Sequence, residues 1–334
     1  MPLTLHPEVA PGFGPVLAGL AAAPKLAPDD VEGVRGMLNT MINAVAETIP
    51  ADPEIESTTY ETPSYDGHIV KITRLAVRET SSSPSSSTSP ATSPPGSPGP
   101  AVLYAHGGGY IHGDATTWER YISSYIRESG IPFFAVEYRL APEHPYPAAL
   151  EDLYAALKWL HAQADTLGID RARIATVGHS AGGGLAAGLG ILARDRGISP
   201  AIAKQILIYP MLDDRNTSPR AAVDALTFWP TAWNVIGWRA YLGAEKAGGG
   251  EVSAYAAPAR VESFEGLPKT YIDVGGLDIF RDECVAFAAG VARADVEVEV
   301  HVYPGLPHGF DLTPERLGPM ERALRHRVAA LKGV

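Results

Sequence analysis

Beyond Pro100 this chain alternates short apolar runs with stretches of helical length, and no other feature narrows its fold as much. The runs fall at Ala101–Ala105, Phe133–Val136, Ile174–Val177, Gln205–Tyr209, Thr270–Val274 and Val296–Val302. Helical stretches such as Pro147–His161, Gly182–Arg194, Asp282–Arg293 and Pro314–Leu331 lie between or after them. A strand that reads apolar throughout is buried on both faces, and a helix joining two such strands is the usual crossover of a parallel pair. The expected architecture is therefore α/β, with a mostly parallel central sheet flanked by helices. The last run differs, because Val296, Val298, Val300 and Val302 alternate with Glu297, Glu299, His301 and Tyr303. Period two predicts a strand near the sheet edge, one face on the core and one face wetter.

The rest of the chain is less regular. Residues 1–55 are punctuated by proline and carry Val34, Met37, Leu38, Met41 and Val45 at helical spacing. A strand is expected over His68–Val77. Thr80–Pro100 contains only Ser, Pro, Thr, Gly and Ala. Such a segment buries too little apolar surface to offset the entropy of ordering and reads as a flexible surface loop. Between residues 210 and 252 the alternation lapses, and Phe228, Trp229, Trp233, Trp238 and Tyr241 crowd together. An insertion there can fold over the carboxyl ends of the strands, where open α/β sheets bind ligands. Aromatic rings serve cores as readily as pockets, so both readings stand.

Composition excludes several classes. With 46% hydrophobic and 19% charged residues, the 334-residue chain can bury a large core. No apolar run is long enough to span a bilayer; the greasiest, Ala181–Ala193, is interrupted by glycines. The first thirty residues lack the pattern of a secretory signal, and the lone Cys284 cannot form an internal disulfide, so a cytoplasmic location is expected. Cys284 reads as a helix-packing thiol rather than a nucleophile. A formal charge of -11 disfavours nucleic acid and anionic membranes as partners. No cluster of His, Cys or carboxylates has metal-site spacing, so neither a metal nor a cofactor is expected.

Three motifs carry chemistry. Gly178-His179-Ser180-Ala181-Gly182 follows one expected strand and opens a helix. A sharp strand-to-helix turn of this kind lifts a serine oxygen clear of the sheet, and the helix points its positive end at any charge formed there. His106-Gly107-Gly108-Gly109 follows the strand Ala101–Ala105. Successive glycines leave amide groups unshielded, which suits an anion such as the oxyanion of acyl transfer. The candidate donors are the N–H groups of Gly108, Gly109 and Ala181. A phosphate loop is the weaker alternative, since no Lys-Ser or Lys-Thr pair follows. His106 reads as a hydrogen-bonding brace for this loop. The third motif supplies an acid and a base in the chain order Ser, Asp, His. Asp278 follows the strand Thr270–Val274, and His308 follows the last strand within Pro304–Phe310. Asp273, inside its strand, and Asp282 and Glu283, in the next helix's first turn, are rival acids.

Together these segments resemble the hormone-sensitive-lipase-like branch of the α/β-hydrolases, also called the bacterial family IV esterases. The matching pieces are His106–Tyr110, Tyr138–Pro145 with Tyr146–Ala149, Gly178–Gly182, Asp278 with Arg281–Glu283, and His308–Phe310, in the family's order. The resemblance implies an α/β-hydrolase fold with a helical cap, the triad Ser180, Asp278 and His308, and a pocket for short acyl esters. It divides the chain into a cap segment at 1–55 and a catalytic domain at 56–334, with a loop at 80–100 and a cap insertion at 211–252. It also gives Tyr138-Arg139 a structural role near the elbow. Tyr110, His179, Trp233, Trp238 and Phe280 are the candidate pocket residues. His179 stands where Asp is commoner, Ile279-Phe280 replace the usual Pro-Leu, and the Ser/Pro loop is longer than typical. The expected partner is a small-molecule ester, and a homodimer is compatible with the sequence. Rival readings are a lactonase, amidase or deacetylase using the same triad, or a ligand receptor like those for gibberellin, which lack the catalytic histidine.

Overall fold

The computed structural model describes residues 2–78, 97–313 and 317–334. Residues 80–96 of the expected Ser/Pro loop, and the first residues of the expected helix Pro314–Leu331, lie outside that description. Among the described residues one eight-stranded sheet organises the chain. Its strands are β1 (Ile55–Pro63), β2 (Ile69–Val77), β3 (Gly99–Ala105), β4 (Phe133–Glu137), β5 (Ile169–His179), β6 (Lys204–Ile208), β7 (Lys269–Gly275) and β8 (Val298–Tyr303). The spatial order is β1-β2-β4-β3-β5-β6-β7-β8. The pairs β1–β2 and β2–β4 are antiparallel and all the others parallel. Gly99 and Pro100, assigned to the loop from composition, instead begin β3.

Central strands are buried throughout their apolar runs and open only at a residue or two at one end, as those runs require. One face is covered by helices Ala115–Ser129 and Gly318–Lys332, which pack on each other; the other by Ala148–Leu167, Ala181–Asp195 and Arg281–Arg293. β8 is an edge strand, and its valine face is only partly covered: Val296 and Val298 pack against the core. Val300 and Val302 are 44% and 40% exposed, whereas Tyr303 is buried with its hydroxyl on His326 Nδ1 at 2.9 Å. Helix Arg281–Arg293 packs along β8 from one face, and His326 of the helix Gly318–Lys332 reaches Tyr303 from the other.

The N-terminal segment forms helices Ala10–Ala22, Val31–Leu38 and Ala44–Thr48, the last two joined by a π-helical turn at Asn39–Asn43. Asp30 caps the second helix by accepting from the Gly33 amide at 2.8 Å. The aromatic insertion supplies helix Thr231–Leu242, which touches Val31–Leu38. No helix among the described residues is long and apolar enough to cross a membrane.

Candidate active site

The end of β5 turns into the helix Ala181–Asp195 at Ser180, whose backbone has φ 54° and ψ −118°. A side chain in this region is strained. Three hydrogen bonds hold it there: the Ser180 amide donates to Ile208 O at 2.9 Å, and its carbonyl accepts from the Gly184 and Met211 amides at 3.0 Å. The turn is so close to β3 that a Cβ on Gly182 would lie 2.2 Å from the Ala105 carbonyl oxygen. Hence the elbow needs glycine there.

Residues far apart in sequence converge on this hydroxyl. His308 Nε2 lies 3.0 Å from Ser180 Oγ, and His308 Nδ1 lies 2.6 Å from Asp278 Oδ2. The other Asp278 oxygen accepts from the Phe280 amide at 2.9 Å, which fixes the carboxylate in the loop after β7. Asp278 is wholly buried, and only a few per cent of Ser180 and His308 is exposed. The rings of Tyr209 and Phe280 meet the His308 imidazole edge-on, with centroids 4.8 and 5.0 Å away, and limit its rotation. The chain Asp–His–Ser can withdraw a proton from the hydroxyl while keeping the imidazole in one tautomer.

The rival acids are engaged elsewhere. Asp273 pairs with Arg327 inside the core, at 2.6 Å. Asp282 pairs with Arg220 and Arg281 at the surface. Glu283 is buried and accepts from the Leu212 amide at 2.7 Å and Asn216 Nδ2 at 2.8 Å; burial pushes its carboxyl well above the usual range. Cys284 is buried, with its sulfur 3.5 Å from the Pro210 carbonyl, and burial raises its thiol pKa.

Gly107, Gly108 and Gly109 line a narrow cavity together with Ser180 and His308. Among the described residues no intraprotein hydrogen bond uses the Gly108 or Gly109 amide. Ala181 begins the helix directly after Ser180. Gly109 sits at φ 62° under the indole of Trp229, where an added Cβ would lie 2.3 Å from the ring. His106 braces the loop: Tyr138 Oη donates to the His106 carbonyl at 2.7 Å and the two rings stack at 4.1 Å. Burial lowers the His106 pKa to about 4, so the ring is neutral. Arg139 forms a buried pair with Asp152 at 2.8 Å and reaches Asp66 at 2.6 Å. Arg35 of the N-terminal helices donates to the carbonyls of Ile111 at 2.8 Å and Ala141 at 3.0 Å, tying that helix to the glycine loop.

The five residues expected in the pocket are placed differently, since none lines the cavity beside Ser180. Tyr110 is buried, stacks on Tyr241 at 4.1 Å and donates to the Met211 carbonyl at 3.2 Å. Trp238 packs against both tyrosines, and Trp233 against Trp229. Phe280 backs the imidazole from behind. His179 turns inward to Tyr104 Oη at 3.1 Å and Tyr125 Oη at 3.4 Å, where burial lowers its pKa to about 3. The cavity is walled instead by Leu38, Ile42, Trp118, Phe228, Trp229 and Leu312, with Tyr209 beside the base. Of these only Phe228 and Trp229 stood in the segment flagged by its aromatic content.

A sheet of this topology, with a serine at a strained elbow and His and Asp on the loops after β8 and β7, defines the α/β-hydrolase fold. The α/β-hydrolase family model matches residues 102–312, and the chain belongs to that family, in its hormone-sensitive-lipase-like branch. It is 37% identical to esterase LipI of Mycobacterium tuberculosis over 216 residues, 63% of this chain and 65% of that protein. It is 32% identical to an ethyl acetate hydrolase of Pseudomonas putida, over 64% of this chain and 66% of that one. The matched region thus falls just short of two thirds of these curated relatives. Among solved structures, a bacterial heroin esterase superposes with TM-score 0.82 at 35% identity, covering 99% of this chain and 98% of the other. An esterase from the archaeon Pyrobaculum calidifontis gives TM-score 0.81 at 29% identity, with 99% of each chain covered.

Proposed function

We propose that this protein is a carboxylesterase that cleaves small-molecule esters through an acyl-enzyme on Ser180. The observation that carries the reading is the continuous chain from Asp278 Oδ2 through both nitrogens of His308 to Ser180 Oγ, at 2.6 and 3.0 Å, beside a cavity floored by glycines. In this reading Ser180 attacks the ester carbonyl as His308 takes its proton, and Asp278 holds the imidazole's tautomer and steadies its charge. The carbonyl oxygen, now negative, accepts from the N–H groups of Gly108, Gly109 and Ala181. His308 returns the proton to the departing alcohol, and water then repeats the sequence on the acyl-enzyme. The site needs no metal for any step. The small volume beside Ser180 favours a short acyl group, in keeping with relatives named for ethyl acetate and heroin hydrolysis.

A rate series on p-nitrophenyl esters of increasing acyl length, with Ser180→Ala as control, tests this reading. Turnover is expected to be highest for the shortest acyl groups and to fall by about 10⁴ or more in Ser180→Ala. Near wild-type hydrolysis by the variant would remove Ser180 as the nucleophile.

A further inference from the structure

Next to the catalytic cavity lies a larger, half-open one, of about 400 Å³. It is walled by Phe13, Val16 and Leu20 of the first helix and by Met37, Met41 and Val45, one from each of the next three elements. Among the described residues Thr40 and Thr313 bring its only side-chain oxygens, and no ionisable group of theirs lines it. The two cavities share two residues, Phe228 and Leu312, which form the partition between them. Both converge on Gly309, next to the base: a Cβ there would lie 3.2 Å from Leu312 Cδ1 and 3.7 Å from Phe228 Cδ1. The segment 37–45 belongs to both walls, with Leu38 and Ile42 toward Ser180 and Met37 and Met41 toward the larger chamber. Its middle is the π-helical turn Asn39–Asn43, a departure from regular helix that recurs at functional sites.

The chamber adjoins Gly309, Leu312 and Thr313, the residues that follow His308. In ester cleavage the leaving oxygen must come within reach of the base, so the alcohol portion projects toward that side. We propose that this chamber receives the hydrocarbon chain of the ester's alcohol, with Phe228 and Leu312 governing entry. The preferred substrates are then esters that join a short acyl group to an apolar, uncharged alcohol of medium length. The proposal rests on the carboxylesterase reading and extends it to a substrate class.

The test uses the full-length protein and two ester series: acetates of straight-chain alcohols from ethyl to octyl, and p-nitrophenyl esters of straight-chain acids of matched length. On the acetates kcat/KM is expected to rise about two- to four-fold per methylene until the chamber is filled. On the acyl series it is expected to stay flat or fall. Met41→Trp, which fills the chamber, should lower the octyl-to-ethyl ratio about ten-fold or more, and Phe228→Ala should raise it several-fold. Val45→Phe replaces Met41→Trp if that variant does not fold. A ratio unmoved by both changes, or a rise confined to the acyl series, overturns the proposal while ester hydrolysis stands. Should no ester be cleaved, the carboxylesterase reading fails, and thermal denaturation with 1-octanol then tests the chamber alone. Stabilisation of the wild type that Met41→Trp loses supports the chamber's role, and equal or absent stabilisation overturns it.

Discussion

Asp278 has both oxygens committed, one to His308 and one to the Phe280 amide, so its replacement by an amide cannot be absorbed by rotation. An Asn there offers an N–H or a neutral oxygen to His308 and favours the wrong tautomer. Asp278→Asn is expected to lower kcat by about 10⁴ with the fold intact, read by steady-state kinetics beside a circular dichroism spectrum. Gly109 is constrained by both φ and contact, because a methyl group would strike Trp229. Gly109→Ala is expected to shift the loop and cost about 10²–10³ in kcat, with a change in tryptophan fluorescence as Trp229 moves. At this scale the sequence was most legible for residues whose chemistry demands a place. Ser180, Asp278 and His308 each follow a strand, and the structure brings them together. The pocket wall was not legible, since Trp233 and Trp238 differ from Trp229 only in what lies beside them after folding.

One buried side chain, Arg327, ties the helix Gly318–Lys332 to the site. Arg327 donates to both oxygens of Asp273, at 2.6 and 2.8 Å, and to Asp311, three residues after His308. Asp311 also accepts from Tyr209 Oη at 2.8 Å, and the Tyr209 ring abuts the His308 imidazole. Removing the cation leaves two buried carboxylates without a counter-charge. Arg327→Met is expected to destabilise the protein by about 3–5 kcal/mol, measured by urea denaturation. A loss under 1 kcal/mol would mean that water or another donor takes its place. Elements were legible where burial is two-sided. β1 has no apolar run, only Ile55 and Thr62 turned fully inward, and nothing in Glu56–Glu61 announces a strand before β2 is there to pair with it.

Over the whole molecule, two buried histidines held neutral contribute to acid lability. Burial brings His106 to about 4 and His179 to about 3, both below the 6.5 of an exposed imidazole. Between pH 6.5 and about 4 the unfolded chain binds protons that the folded chain refuses. Stability therefore rises with pH in that window, is fully present above 6.5, and falls as acid is added. The expected loss is on the order of a few kcal/mol by pH 4, read as a falling urea midpoint. His179→Gln should reduce the slope by about one proton. The α/β class and parallel centre of the sheet were legible in the alternation after Pro100. The cavities formed by the N-terminal helices were not, because they depend on where those helices dock.

The geometry at position 180 means that the protein gives up some of its robustness at the residue proposed to attack the ester. Glycine alone rests easily at φ 54° with ψ −118°, and an alanine there inherits all of the discomfort of the serine. Ser180→Gly is thus expected to unfold at a higher temperature than Ser180→Ala, by an amount equivalent to about 1 kcal/mol, although both are inert. On the proposed mechanism, a glycine variant that cannot turn an ester over should therefore outlast the serine protein that can.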